Sequence, residues 1–197
     1  MEMIRLACEV PKKVTLACSG GRDSMSVLEF LLNGKREVTL AYFNHGTRHG
    51  QEAEGFVRSV SEDLDIPLVV EDLYEKVPRK TSSEAFWHEK RHEFFETFDT
   101  PVVLAHHLSD AVEWWIFSSL RGRPSLMPVR KPNSNIIRPF LLSPKKSLHR
   151  FEKFSHIEDP SNTHIVHARN YIRKNIMSHA LKVNPGIETT VRNLYNV

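Results

Sequence analysis

A six-residue segment at positions 19–24, S-G-G-R-D-S, constrains the fold of this chain more than any other stretch. It follows a β-branched and apolar run at 14–18 and precedes an amphipathic stretch at 25–32. A strand, a tight glycine turn and a helix are the expected structure. Glycines let backbone N–H groups approach an oxyanion, and the N-terminus of the following helix favours negative charge. No Gly-Lys-Ser/Thr follows, so the segment predicts a phosphate-binding loop that is not of the Walker type.

Apolar strands alternate with helices along the first part of the chain. We predict further strands at 38–43, 67–70 and 101–105, and helices at 52–64, 83–98 and 110–120. Short buried strands separated by helices indicate an α/β fold with a parallel sheet and helices on both faces. In such sheets, ligands bind beyond the carboxyl ends of the strands.

After position 120 the regular alternation of apolar strands and helices ends. Positions 121–135 contain three prolines and predict a loop. We expect a short last strand at 136–140, a basic helix at 143–154, a helix at 169–182 and a short final helix. The chain then divides into a phosphate-binding domain at 1–140 and a basic helical extension at 141–197, which packs on that domain and is not independent of it.

The composition is typical of a soluble globular protein. Hydrophobic residues make up 40% of the chain and charged residues 26%, and no apolar run is long enough to span a membrane. The two cysteines, Cys8 and Cys18, form no C-x-x-C pair and predict no disulfide framework. We therefore expect a cytoplasmic protein without a membrane partner.

Positive charge is concentrated in the C-terminal part. Residues 1–120 contain 13 Lys and Arg against 20 Asp and Glu, a net charge of −7. Residues 121–197 contain 14 against 4, a net charge of +10. Such a basic region predicts a polyanionic partner larger than a nucleotide, although solvated Lys and Arg without a partner give the same count.

A second group of polar residues follows the fourth predicted strand. If a helix begins near Ser109, Asp110 and Glu113 lie on one face of its first turn. Two carboxylates at a strand end can bind magnesium, hold an amine or accept its proton, although a solvated first turn has the same pattern. A transition-metal site that includes His106 is disfavoured, because the adjacent His106 and His107 point apart and no cysteine assists.

A third candidate is a pair of arginines in the helix predicted at 169–182. Arg169 and Arg173 are four residues apart, so both guanidinium groups can reach one anion from one helix face. They follow the segment E-D-P-S-N at 158–162. The same spacing also occurs on ordinary solvated helix surfaces.

Taken in chain order, these motifs resemble the N-terminal catalytic domain of the tRNA(Ile)-lysidine synthetase family, within the PP-loop (N-type ATP pyrophosphatase) superfamily. The family motifs S-G-G-x-D-S, D-H-G-x-R, S-x-E-x-x-x-R-x-x-R, H-H-x-D-D-x-x-E-T, I-R-P-L and R-N-x-x-R correspond to 19–24, 44–48, 82–91, 106–114, 137–140 and 169–173. The matches keep the family order from about residue 14 to residue 185, which is nearly the whole chain.

The resemblance implies a Rossmann-like fold of the adenine nucleotide alpha hydrolase type and a ligase that uses ATP and Mg²⁺. The implied substrates are free L-lysine and the tRNA(Ile) that bears a CAU anticodon. The wobble cytidine would be adenylated with release of pyrophosphate, and lysine would then displace AMP to form lysidine.

The resemblance also implies roles for individual residues. The cofactor-binding residues would be Ser19, Gly20, Gly21, Arg22, Asp23, Ser24, His45 and His106, and Asp23 would position magnesium. The catalytic residues would be Asp23, Asp110, Glu113, Arg169 and Arg173. Among these, Asp110 would be the base or orient lysine, Glu113 would bind lysine, and Arg169 or Arg173 would contact phosphate.

The chain departs from the family pattern at several positions. Asn44, His88, Ser109 and Trp114 stand where the family has Asp, Arg, Asp and Thr. We expect Ser109 to cap its helix and the tryptophans Trp114 and Trp115 to reshape the lysine pocket. Most relatives continue into further domains that grip the tRNA. A homodimer through Trp114, Trp115 and Phe117 could supply such a surface, unless these side chains are simply core.

Two other functions stay open at this point. Another PP-loop adenylating enzyme could act on a different tRNA or on a small-molecule acceptor. A tRNA thiolase is disfavoured because Cys8 and Cys18 do not form the paired cysteines of sulfur-carrying relatives. A non-catalytic RNA-binding homologue would keep the fold but lose the phosphate-binding and carboxylate residues, which are intact here.

Overall fold

The computed structural model describes residues 3–75, 77–78, 81–151, 153–158 and 168–195. Its strands are β1 (Lys13–Ala17), β2 (Glu37–Asn44), β3 (Leu68–Asp72), β4 (Val102–Val103) and β5 (Ile136–Ile137). Its helices are α1 (Arg22–Asn33), α2 (Arg48–Asp63), α3 (Ser83–Glu96), α4 (Leu108–Leu120), α5 (Lys145–Leu148), α6 (Ala168–Tyr171), α7 (Met177–Val183) and α8 (Ile187–Leu194). Two 3₁₀ turns (Pro139–Leu142 and His149–Phe151) and a π-helical turn (Ile172–Ile176) complete the described elements.

The five strands form one parallel sheet in the order β3-β2-β1-β4-β5. The chain first runs outward from β1 through β2 to β3, and then returns to the other side of β1 for β4 and β5. The strand order therefore reverses between β1 and β4, where ligands bind in sheets of this type. The predicted α/β fold with a parallel sheet is confirmed.

Alternate strand positions build an apolar layer on each face of the sheet. Leu16 and Leu40 belong to a buried cluster with Val57 of α2 and several residues of α1. On the opposite face, Phe43 clusters with Phe94 of α3. Helices therefore cover both faces, as the spacing of the strands predicts.

A third apolar cluster joins α4 to the C-terminal helices. Val112 of α4 lies in it with Val191 of α8, and Trp114, Trp115 and Phe117 pack against it while partly buried. These aromatic side chains thus contribute to packing within the chain. The division of the chain at residue 140 stays a prediction.

Two elements predicted for the C-terminal part are wrong in form. The strand predicted at 136–140 is limited to Ile136–Ile137, because the chain turns at Pro139, which has no N–H to donate to a sheet. The basic helix predicted at 143–154 ends at Leu148 and continues as a 3₁₀ turn. This turn keeps the chain against α1, where the Phe151 ring packs edge-on against Phe30 at 5.2 Å between centroids.

Both cysteines are free thiols. Cys18 is buried at the end of the first strand, and this burial raises the pKa of its thiol despite hydrogen bonds involving Gly20 and Ser24. Within the ranges that the structure describes, no helix is long and apolar enough to cross a bilayer.

We expect β2, an interior strand of the sheet, to contribute much of the stability. Leu40 is fully buried, so Leu40→Ala should lower the free energy of unfolding by about 2–5 kcal/mol through lost burial and a cavity. Urea unfolding followed by circular dichroism measures this change. The control is Val69→Ala on β3, where the side chain is 42% exposed and the loss should stay below about 1 kcal/mol. Equal losses in the two variants would contradict the assignment of the core.

Candidate functional site

The segment at 19–24 forms a tight turn that leads from β1 into α1. Gly20 has a φ of +72°, which a residue with a side chain adopts only with strain. Gly21 is the N-cap of α1 and supplies no side-chain cap, while the Ser24 hydroxyl donates to the Gly21 carbonyl at 2.8 Å. Ser19 and Ser24 lie 3.3 Å apart through their hydroxyls, and Arg22 is exposed. The turn thus offers N–H and hydroxyl donors at the positive end of a helix.

The turn is also closely packed from outside. A Cβ atom on Gly20 would lie 2.9 Å from Cδ1 of Phe56 and 3.1 Å from Cγ2 of Ile157. The Ile157 N–H donates to the Gly20 carbonyl at 2.9 Å. Glycine is therefore required at position 20 by both backbone conformation and space.

Asp23, in the first turn of α1, is surrounded by cationic and imidazole groups. Its Oδ1 lies 2.6 Å from Nε2 of His149 and 3.6 Å from Nζ of Lys145. Its Oδ2 lies 3.6 Å from Nε2 of His107. Burial alone would raise the pKa of Asp23, but His107, His149 and Lys145 together hold it well below its usual range. The carboxylate is therefore ionised, and Lys145 and His107 are its charged partners, since burial lowers the pKa of His149 despite its contact with Asp23.

The imidazole of His107 connects this loop to α4. It is 2% exposed, and its Nδ1 lies 3.3 Å from Oδ2 of Asp110 while Nε2 faces Asp23. Neither ring nitrogen has hydrogen-bond geometry with its neighbour. Burial lowers the pKa of His107, but the charges of Asp110 and Asp23 outweigh it and raise the pKa above the ordinary value. The ring thus links two carboxylates mainly through charge.

The residue that caps α4 differs from the predicted one. Asp110 accepts a hydrogen bond at 2.9 Å from the backbone N–H of His107, which is the N-cap, and the helix begins at Leu108. The expectation that Ser109 caps the helix is therefore wrong. Its hydroxyl instead donates to Oε1 of Glu188 in α8 at 2.9 Å, so Ser109 ties the two helices together.

Asp110 and Glu113 share one face of α4 and are both buried, at 7% and 3% exposure. The guanidinium of Arg173 binds both. Its Nε and Nη2 donate to the two oxygens of Glu113 at 2.7 and 2.9 Å, and Nη2 also donates to Oδ1 of Asp110 at 3.0 Å. The alternative of a solvated first turn is thus wrong, because the carboxylates form a buried site that holds a cation.

Arg173 lies in the π-helical turn Ile172–Ile176, between α6 and α7. The helix predicted at 169–182 is therefore present but not regular. A π-helical turn changes which side chains share a face, so the four-residue spacing of Arg169 and Arg173 does not by itself place them together. The side chain of Arg169 and residues 159–167, which include most of the predicted E-D-P-S-N segment, lie outside what the structure describes.

His106 and His45 have different surroundings from His107. Nε of Arg138 lies 3.2 Å from Nδ1 of His106, whereas the His107 ring turns toward the carboxylates, so the two rings diverge as predicted. The ring of His45 lies beside those of Phe43 and Trp87, at 5.1 and 5.3 Å between centroids. Both histidines follow strand ends of the sheet, but neither is among the contacts of Asp23 described above.

Sequence reasoning missed three residues of the site. Lys145 lies in α5 and His149 in the 3₁₀ turn that follows it, and His149 is 126 residues from Asp23 in the chain. No local motif links such distant positions, so only the folded chain shows their contact. His107 was visible as one of two adjacent histidines, but its bridging position depends on the geometry at the start of α4.

Magnesium bound together with ATP phosphates needs only one or two protein carboxylates. Asp23 can supply one such oxygen beside the loop, and it would hold the ion while the ion neutralises phosphate charge. A site made of protein groups alone is not found: no group of three or more His, Cys, Asp or Glu residues in the described ranges is arranged to hold a metal. The residues therefore fit an ion that arrives with the nucleotide.

The glycine turn gives a direct test of the site's packing. Gly20→Ala should lower the free energy of unfolding by about 1–2 kcal/mol or more, because the new Cβ requires a positive φ and meets Phe56. Gly55→Ala in α2 is the control, since nothing lies within 4 Å of its Cβ and alanine favours a helix by about 0.5–1 kcal/mol. Thermal unfolding should show opposite shifts for the two variants, and a stabilised Gly20→Ala would contradict the close packing.

The chain is similar to known proteins over most of its length. A family model described as a PP-loop domain matches residues 3–180. Similar proteins include the tRNA(Ile)-lysidine synthases of Streptococcus thermophilus (33% identical), Lactococcus lactis (29%) and Francisella philomiragia (27%). The matches cover 88%, 92% and 92% of this chain but only 43%, 45% and 49% of those proteins. The chain thus spans less than half the length of these relatives. The PP-loop family model covers residues 3–180 of its 197 residues, so the chain belongs to the PP-loop domain family.

Proposed function

We propose that this chain catalyses an ATP-dependent ligation on tRNA, in which the wobble cytidine of the tRNA(Ile) with a CAU anticodon is adenylated and then joined to free L-lysine. AMP and pyrophosphate are the other products. The observation that carries the proposal is the buried pair Asp110 and Glu113, which lies beside the phosphate-binding turn and already holds a cation. The named relatives support the choice of tRNA and amino acid.

The arrangement suits a reaction that brings anionic ATP next to the cationic side chain of lysine. Ser19, Gly20, Gly21, Arg22 and Ser24 would bind the phosphates of ATP at the start of α1. Asp110 and Glu113 would bind the lysine ammonium, whose charge matches that of the guanidinium now seated on them. The contacts of His107 with Asp23 and Asp110 support this arrangement, in which the two sites would lie side by side.

The first step would form an adenylated base. The C2 oxygen of cytidine attacks the α-phosphorus of ATP, an oxygen–phosphorus bond forms, and the bond to pyrophosphate breaks. Donors of the turn would stabilise the charge on the departing pyrophosphate, and Asp23 would hold a magnesium ion that supplies further positive charge there. His45 and His106, at the carboxyl ends of neighbouring strands, are proposed to contact the nucleotide.

The second step would join lysine to the base. The lysine side-chain ammonium, with an ordinary pKa of about 10.4, must lose a proton before it attacks C2 and displaces AMP. We assign this proton to Asp110, with Glu113 as the ligand of the ammonium. Arg173, together with Arg169, would contact the phosphate of the adenylate once lysine replaces it on the carboxylates.

The charge of the C-terminal part fits a nucleic-acid partner. The net charge of +10 over residues 121–197 supplies attraction to the phosphate backbone, and base recognition requires other contacts. We place the reaction in the cytoplasm, in keeping with the free thiols of Cys8 and Cys18. A homodimer remains part of the proposal for the tRNA-binding form.

Labelled lysine tests the proposal. With ATP and magnesium, this chain should incorporate free L-lysine into a tRNA(Ile) transcript with a CAU anticodon, and acid-precipitated label measures the product. A matched transcript with the wobble cytidine replaced should stay unlabelled. Release of pyrophosphate with bulk tRNA but without lysine incorporation would point to another adenylating enzyme. RNA binding without any pyrophosphate release would point to a non-catalytic homologue.

Two conservative variants separate the proposed steps. Asp23→Asn should lower both pyrophosphate release and lysine incorporation by about 100-fold or more, because it removes the charge that would hold magnesium. Glu113→Gln should lower lysine incorporation by a similar factor and raise the KM for lysine, while tRNA-dependent pyrophosphate release continues. Equal loss of both steps in Glu113→Gln would contradict the separate lysine site.

A further inference from the structure

We propose that Lys145 is a phosphate ligand of this site. Its ammonium group binds the polyphosphate of ATP and the pyrophosphate that the reaction releases. The residue lies outside the glycine turn and far from it in sequence. The inference rests on ATP use by the PP-loop site and is independent of the identity of the acceptor.

The segment that carries Lys145 is fixed against the rest of the chain. The Ser143 carbonyl accepts a hydrogen bond from the Leu108 N–H at 3.0 Å. The Ser143 hydroxyl accepts from the N–H of Arg5 and donates to its carbonyl. Leu148, one turn after Lys145, is fully buried in the cluster that contains α1. The backbone at Lys145 is therefore held at the start of α4 and against α1, and its side chain has a defined origin.

From this position, two side chains one helical turn apart reach the carboxylate of Asp23. His149 takes the close position at 2.6 Å from Oδ1, whereas Nζ of Lys145 lies 3.6 Å from the same oxygen. The longer distance is a charge contact and exceeds the range of an N–H···O hydrogen bond. The three N–H donors of Lys145 are thus beside the N-terminus of α1 without being committed to Asp23.

The charges around Asp23 favour the same assignment. Asp23 faces Lys145, His149 and His107, but burial lowers the pKa of His149 and His107 also faces Asp110, so Lys145 is the permanent cation beside the loop. A polyphosphate at the uncapped start of α1 adds several negative charges next to these groups. Lys145 is 44% exposed on its side chain, so it can turn from Asp23 to a phosphate oxygen without leaving a buried site. His107, at 2% exposure, has no such freedom.

The test measures pyrophosphate binding, which needs neither tRNA nor lysine. Isothermal titration of the full chain with inorganic pyrophosphate and magnesium should give a Kd that rises about tenfold or more in Lys145→Ala, the usual effect of losing a charge-assisted hydrogen bond. The KM for ATP should rise by a similar factor. Lys145→Arg keeps the charge and should recover much of the binding.

The matched control is Lys146→Ala. Lys146 is the next residue of the same turn, carries the same charge and is exposed, so its loss should change the Kd less than about twofold. Unchanged pyrophosphate binding in Lys145→Ala would overturn the proposal, and so would equal weakening by Lys146→Ala, which would mean a general charge effect. If Lys145→Ala melts at a lower temperature than the wild type, Lys145→Gln, which keeps most of the stem, must show the same loss of binding.

Because the probe is pyrophosphate alone, the result stands apart from the acceptor. A failure to label tRNA with lysine leaves this measurement unaffected. Conversely, normal lysidine formation together with unchanged pyrophosphate affinity in Lys145→Ala would reject the role of Lys145 and leave the proposed function intact.

Discussion

The alternation of charge along Asp23, His107, Asp110 and Arg173 is the interaction on which the site depends. Each member lies within 3.6 Å of the next, from the first turn of α1 to the π-helical turn. His107 and Asp110 are almost fully buried, so each requires an opposite charge nearby. Removing one member leaves a neighbour uncompensated in a medium of low dielectric constant. The phosphate-binding turn, α4 and the C-terminal helices are therefore held together by the same groups that would meet the substrates.

The topology of the sheet explains why these groups meet. β1 ends at the glycine turn, and β4, its neighbour on one side, leads to His106 and His107. Because both strands are parallel, their carboxyl ends lie at the same edge, where the order of strands reverses. The later segments then pack at this edge: α5, which carries Lys145, packs on α1, and α8 packs on α4. The first part of the chain builds the edge, and the last part supplies its cations.

The parts that could be predicted from sequence are those with a local signal. Residues 19–24 predict a strand, turn and helix because glycine, serine and apolar periodicity act over a few positions. The spacing of Asp110 and Glu113 likewise places them on one helix face. Pro139 is also a local indication that the strand ends early, since proline has no N–H to donate to a sheet. The prediction of a strand through residue 140 did not take this into account.

The remaining parts depend on contacts between distant positions. The partners of Asp23 at Lys145 and His149 follow from how the chain returns over α1, and the pairing of Arg173 with Glu113 spans 60 residues. The burial of the carboxylates was also hidden, because the pattern of a solvated first turn is the same. Whether the carboxylates are buried or solvated depends on the position of the C-terminal helices, which no local pattern specifies.

The π-helical turn that carries Arg173 sets a condition on the length of the chain. Such a turn contains one residue more than the α-helical turn it replaces. Deleting a single residue from Ile172–Ile176 would restore a regular helical turn and leave α6 and α7 near their present relative rotation, because the turn absorbs its extra residue locally. The side chains inside the turn would instead change direction, and Arg173, which binds both buried carboxylates, is one of them. Family members that keep this geometry are thus expected to vary in the identity of residues here more readily than in their number.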